Sequence, residues 1–107
     1  MGFIKFLRTA DINEGVEEYK KTKGAVLLDV RTAEEYREGH IEGSINLPLD
    51  RINQVENLIE DKDTPLYVHC LSGGRSGQAV SYLKQFGYTN AKNIGGIGRY
   101  RGKVVRE

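Results

Sequence analysis

An apolar run, Pro65-Leu66-Tyr67-Val68-His69, ends at Cys70 and passes through Leu71-Ser72-Gly73-Gly74-Arg75-Ser76 into a helical pattern over residues 78–86. A buried strand that enters a helix through so few residues is half of a crossover unit, the connection parallel strands require. A second run, Ala25-Val26-Leu27-Leu28-Asp29-Val30, is continuously apolar up to its aspartate, as strands covered on both faces are. Two such runs commit the chain to an α/β architecture with a mainly parallel sheet.

The remaining segments fit that plan. Residues 3–7 alternate weakly and predict a short first strand. Asp11-Ile12-Asn13-Glu14 reads as a helix start, and Ile12, Val16 and Tyr19 then share one face, with Gly15 an unexpected residue among them and Gly24 a closing one. Thr32 and Glu35 have capping-box spacing over a short helix ending near Gly39. A brief strand at 44–47 is stopped by Pro48, and Leu49, Ile52, Val55, Leu58 and Ile59 keep helical spacing. The helix after Arg75 is expected to bury Ala79, Val80, Leu83 and Phe86 before Gly87, and a last strand at 91–94 precedes Gly95-Gly96. The count is five strands in a central sheet with helices on both faces, one domain over residues 1–107.

Composition excludes several roles. Charged residues make up 29% of the 107, but net charge is only +1, so nothing electrostatic points to nucleic acid. His40 and His69 are isolated, and no Cys/His spacing suits a metal. No apolar run approaches membrane-spanning length, and the first residues lack the length and cleavage region of a signal peptide. One cysteine cannot form an internal disulfide, and a thiol that works as a thiolate fits a reducing, cytoplasmic setting. A monomer is expected.

A lone cysteine in an apolar stretch is usually a small buried hydrophobe. What argues otherwise is its company. The sulfur stands where loop N–H groups and the positive end of a helix dipole converge, and both favour thiolate over thiol. Cys70 and Arg75 have four residues between them. Cysteine phosphatases and arsenate reductases have five there, a wider cradle for a tetrahedral oxyanion. The tighter ring suits one extra sulfur held on the thiol as a persulfide, so sulfur chemistry is preferred to phosphorus chemistry.

At these residues the sequence resembles the rhodanese family of sulfurtransferases, single-domain bacterial type. The resemblance is carried by Leu28-Asp29-Val30-Arg31, Glu35-Tyr36 and Gly39-His40-Ile41-Glu42-Gly43-Ser44-Ile45-Asn46-Leu47-Pro48, by Cys70-Leu71-Ser72-Gly73-Gly74-Arg75-Ser76, and by Asn93-Ile94-Gly95-Gly96-Ile97. It implies a sulfane sulfur taken from thiosulfate or a related donor onto Cys70, then passed to cyanide or a biological thiol, with no cofactor or metal. It also implies a persulfide cradle from the backbone amides of Leu71, Ser72, Gly73, Gly74, Arg75 and Ser76. Tyr100 stands in for the family's usual Trp. Leu71 and Glu35 replace cationic residues of the two-domain thiosulfate enzymes, which implies weak thiosulfate binding.

Arg75 either offers donors to a sulfonate, steadying the leaving group, or braces the loop's carbonyls. Asp29 and Arg31 are expected to form a structural ion pair, since neither is buried unpaired. His40 and Asn46 should hydrogen-bond backbone. His69 precedes the nucleophile on a strand, so it points to the opposite face and is no base for it. Arg99 and Arg101 are solvated charges unless the C-terminal segment folds back over the rim. A persulfide carrier that delivers sulfur to a protein partner is the alternative to an enzyme, and a phosphatase or arsenate reductase is the less favoured third reading.

Overall fold

The apolar run at 25–30 forms strand β1 (Val26–Asp29), and the run before the cysteine forms β4 (Leu66–Cys70), in a computed structural model that describes residues 10–106. β1 and β4 pair in parallel, with Leu28 opposite Val68 and Asp29 opposite His69. β3 (Ile45–Asn46) flanks β1 and β5 (Ala91–Gly96) flanks β4, both parallel, giving a four-stranded sheet in the order β3-β1-β4-β5. These are four of the five expected strands. The fifth, at residues 3–7, lies outside the described residues.

Side-chain alternation divides the core between the two faces. Leu28, Val68 and Cys70 face helix α4 (Gly74–Gln85), where Ala79 and Leu83 are buried and Val80 and Phe86 pack at the margin. Leu27 and Tyr67 face helix α1 (Ile12–Lys21), which contributes Ile12 and Val16. Helices therefore cover both faces, as the double-sided apolar runs require. Gly15 has a packing reason, since a Cβ there would lie 2.6 Å from Ile94 Cγ2. Tyr100 is partly buried and packs on the α1-side cluster.

Helix α2 (Ala33–Glu38) starts on the expected capping box, with the Thr32 hydroxyl accepting from Glu35 N–H and the Glu35 carboxylate accepting from Thr32 N–H. Tyr36 stacks on His40, ring centroids 3.7 Å apart, and His40 Nδ1 meets the Tyr36 carbonyl at 2.8 Å. His40 opens β2 (His40–Ile41), which pairs antiparallel with β6 (Val104–Val105) in a separate ribbon that the sequence pattern did not announce.

The spacing at 49–59 resolves differently from one helix. Residues Leu49–Gln54 form a 3-10 helix, bent at Arg51, and only Val55–Leu58 (α3) is α-helical, with Leu58 left exposed. Leu49, Ile52, Val55 and Leu58 recur every third residue, which is the 3-10 period.

At the carboxyl end of β1, Asp29 and Arg31 form a buried ion pair. Arg31 Nη2 donates to Asp29 Oδ2 at 2.7 Å, and Arg31 Nε and N–H both donate to Oδ1 at 3.0 Å. Arg31 also donates to the Gly39 carbonyl at 2.8 Å, and Asn46 Nδ2 spans the carbonyls of Asp29 and Arg31 at 2.9 Å. The cluster ties β1, α2 and β3 together just below the rim. Removing one member of such a buried pair costs about 3–5 kcal/mol, because the other charge is left uncompensated.

Candidate active site

Cys70 ends β4 at the carboxyl edge of the sheet, where parallel α/β folds bind ligands. Its side chain is buried on the α4 face. The turn that follows is tighter than the helical pattern suggested, because α4 begins at Gly74 rather than near Gln78. Gly73 is the N-cap and sits at φ +106°, a left-handed conformation in which a side chain would be strained. That geometry turns successive N–H groups inward. Gly73 N–H donates to Cys70 Sγ at 3.0 Å and Ser76 N–H at 3.3 Å. The Ser76 amide belongs to the first turn of a twelve-residue helix, so it brings the positive end of the helix dipole to the sulfur.

Burial pushes the Cys70 thiol up, but the Ser76 hydroxyl and amide and the Gly73 and Ser72 amides outweigh it and hold it below its ordinary range. Ser72, Gly73 and Ser76 are thus the cradle residues that act on the sulfur here. Leu71, Gly74 and Arg75 belong to the same turn without an amide–sulfur bond of their own. Asn93 is a support that sequence reasoning missed. Its Oδ1 accepts from the Ser76 hydroxyl at 2.7 Å and Gly95 N–H at 3.0 Å, while its Nδ2 donates to the Gly73 carbonyl at 3.0 Å. An asparagine two residues before a Gly-Gly pair was the available signal.

Arg75 neither braces loop carbonyls nor stands free. Its two terminal nitrogens donate to the two oxygens of Glu35, at 2.7 and 3.0 Å. The sequence alone identifies Glu35 as a cap and as a residue in a cation's place, not as the partner of Arg75. His69 is buried on the face opposite Cys70, 3.9 Å from Asp29 Oδ2, with its Nδ1 3.4 Å from the Cys70 carbonyl.

The C-terminal segment does fold onto the loop. Gly98 N–H donates to the Leu71 carbonyl at 3.1 Å. Gly96 lies so close that a Cβ there would overlap the Leu71 carbonyl oxygen. Leu71, Ser72, Gly96, Gly98 and Arg99 line a cavity of about 390 Å³ beside the loop. Leu71 itself is half exposed at its edge. No helix among the described residues is long and apolar enough to cross a membrane.

The chain is similar to known proteins in sequence and in fold. Over 71 residues, 65% of this chain and 68% of the relative, the sequence is 38% identical to the thiosulfate sulfurtransferase PspE of Escherichia coli. Over 95 residues, 88% of this chain, it is 35% identical to the adenylyltransferase and sulfurtransferase uba4 of Ogataea parapolymorpha, but spans only 24% of that protein's length. The structure of an E. coli rhodanese with anions superposes with a TM-score of 0.72 at 33% identity, covering 78% of this chain and 99% of that one. The model described as rhodanese-like domain matches residues 13–102, which include the Asp29–Arg31 cluster, the Cys70 loop and the Gly95-Gly96 strand end. With its fold and its cysteine loop both matched, the chain belongs to the rhodanese-like domain family.

Proposed function

We propose that the chain is a thiosulfate sulfurtransferase-type enzyme that carries a sulfane sulfur on Cys70 as a persulfide. One observation carries this reading above the others: the backbone N–H groups of Gly73 and Ser76 both point at Cys70 Sγ. Preorganised amides of this kind stabilise developing charge without reorganising at the moment of reaction. Among the described residues, the groups that meet the sulfur are loop amides and the Ser76 hydroxyl.

The cycle has two half-reactions. Cys70 thiolate attacks the outer sulfur of thiosulfate or a related donor. A sulfur–sulfur bond forms to Sγ, the donor's own breaks, and sulfite leaves with the electron pair. The loop amides from Leu71 to Ser76 assist that departure and then surround the persulfide, with Arg75 beside them to the extent that its pairing with Glu35 leaves it charge to offer. Cyanide or a thiolate acceptor attacks the outer sulfur, and Cys70 leaves as thiolate. This is covalent catalysis with ping-pong kinetics. The Asp29–Arg31 pair supports the loop from below, and the reaction needs no cofactor. A reducing cytoplasm suits the free thiol, and the chain works as a monomer.

The test is intact-mass spectrometry after incubation with thiosulfate. A gain of one sulfur, about 32 Da, on the wild type and none on Cys70→Ser is expected. A wild type that never gains sulfur overturns the reading.

A second reading is favoured by the uba4 match, in which a rhodanese-like segment makes up a quarter of a larger sulfurtransferase. Here the persulfide is delivered to a protein partner and turnover with small acceptors is incidental. One sulfur transferred per chain to cyanide, without multiple turnovers, would select it.

A further inference from the structure

Arg75 is the cation beside the nucleophile, yet its charge is already answered. Both terminal nitrogens fork onto Glu35, and the two side chains are 35% and 30% exposed. Glu35 is anchored from its own helix first. Its Oε1 accepts from Thr32 N–H at 3.0 Å and from the Thr32 hydroxyl at 3.1 Å, so the carboxylate is held in place before it meets the arginine. A bidentate pair between two prepositioned groups is stronger and more specific than an ordinary surface ion pair.

Arg75 also lines a cavity of about 420 Å³, together with Val30, Thr32, Leu49, Gln78 and Tyr82, among others. Arg75 is near enough to the sulfur for the Cys70 thiolate to help hold it charged, after Glu35 itself. The Arg75 hydrogen bonds in turn hold the Glu35 carboxyl down to about 2, so the carboxylate keeps its charge throughout the working pH range. A dianion approaching Cys70 therefore meets a neutralised arginine with a carboxylate against it.

We propose that Glu35 is a specificity-determining residue of this site: by neutralising Arg75 it disfavours dianionic sulfur donors such as thiosulfate and favours persulfides borne on small uncharged organic groups. The proposal rests on the sulfur-transfer reading above and specifies its donor. With an alkyl persulfide, Cys70 thiolate bonds to the outer sulfur, the donor's sulfur–sulfur bond breaks, and an alkyl thiolate leaves with the electron pair. The transferred sulfur keeps its proton. No sulfonate has to be accommodated.

The variant that isolates the charge is Glu35→Gln, because glutamine serves the capping box as glutamate does. Steady-state kinetics with thiosulfate and with 2-hydroxyethyl persulfide would be compared between it and the wild type. In Glu35→Gln the KM for thiosulfate should fall about tenfold with a smaller change in kcat, while the persulfide KM stays within about twofold, because a sulfonate dianion gains far more from a free guanidinium than the neutral persulfide that reacts. Arg75→Gln should move the thiosulfate KM the opposite way. A thiosulfate KM unchanged in Glu35→Gln, or both donors shifting together, overturns the proposal.

A further readout needs no turnover: sulfate, an unreactive dianion, should protect Cys70 from alkylation at lower concentration in Glu35→Gln than in the wild type. Equal protection also overturns the proposal. If the wild type accepted sulfur from neither donor, the sulfur-transfer reading would fall, and the sulfate arm would still judge Glu35.

Discussion

The Ser76 hydroxyl lies 3.4 Å from Cys70 Sγ, and its single proton has other claimants. It donates to Asn93 Oδ1 at 2.7 Å and stands 3.1 Å from the Gly73 carbonyl. Asn93 Oδ1 also receives Gly95 N–H, which fixes the amide's orientation and leaves the hydroxyl as its donor. While Cys70 is a thiol, its S–H can donate to the Ser76 oxygen. Once it is a thiolate, the hydroxyl can turn from Asn93 to the sulfur. Ser76 is therefore a switchable donor, whereas the Gly73 and Ser76 amides are fixed ones.

Ser76→Ala should keep both amides and lose the hydroxyl. The Cys70 thiol should then titrate higher than in the wild type, and sulfur transfer at neutral pH should fall roughly tenfold, the usual scale for one hydrogen bond to a charged group. Alkylation rate against pH gives the titration midpoint. An unmoved midpoint would show that the amides alone set the thiolate.

Gly96→Ala should damage the loop more than the fold. The added Cβ would overlap the Leu71 carbonyl oxygen and lie 2.6 Å from Ser72 Cα, and both neighbours are backbone. The strand end and the loop would have to part, carrying the Ser72 and Gly73 amides away from the sulfur. Sulfur transfer should fall about a hundredfold, as when an oxyanion donor is lost, while far-ultraviolet circular dichroism stays that of the wild type. Full activity in the variant would mean that this close approach does not position the loop.

Acid stability should report on His69. Burial pushes its pKa below the ordinary 6.5, against the nearby Asp29, which raises it, and with Arg31 lowering it further. The unfolded chain thus binds more protons at this residue than the native one as pH drops below 6.5. Stability is complete above that value and is lost as pH falls from there toward the native pKa. The stability contributed by Glu35 is lost only as pH falls from its ordinary 4.5 toward about 2, below this window. Denaturant titrations from pH 7.5 to 5 should show the wild type losing stability and His69→Phe losing less. Parallel curves would place the acid sensitivity elsewhere.

What could be read from the sequence was what is local in it. The Thr32–Glu35 capping box, the double-sided strands and the turn after Cys70 each lie within a few residues of chain, so spacing and periodicity specify them. Glu35 and Arg75 are 40 residues apart and meet only because the carboxyl ends of β1 and β4 are neighbours. Ser76 and Asn93 meet through the pairing of β4 and β5. Strands of two residues, such as His40–Ile41 and Val104–Val105, are too short to show a period of two. Long-range partners of this kind depend on register, which the pattern within one segment does not encode.

Loop size gives the sharpest test of sulfur against phosphorus. Inserting one glycine between Gly73 and Gly74 would give five residues between Cys70 and Arg75 while keeping both. The insertion falls at the junction of the αL N-cap and the first residue of α4, so the helix can restart on the new glycine. A longer surface loop costs little in closure entropy. The sulfur, however, would lose its ring. Gly73 N–H at 3.0 Å and Ser76 N–H at 3.3 Å now flank Sγ from opposite sides of that junction, and an extra residue cannot leave both in place. Donors help only at hydrogen-bond distance from the charge they stabilise, so thiosulfate-to-cyanide transfer should fall about a hundredfold or more. The enlarged turn should gain weak hydrolysis of an aryl phosphate. Both activities are measured on wild type and insertion variant, with circular dichroism to establish folding. Unchanged sulfur transfer in a folded variant would mean that two converging amides are not what commits this loop to sulfur.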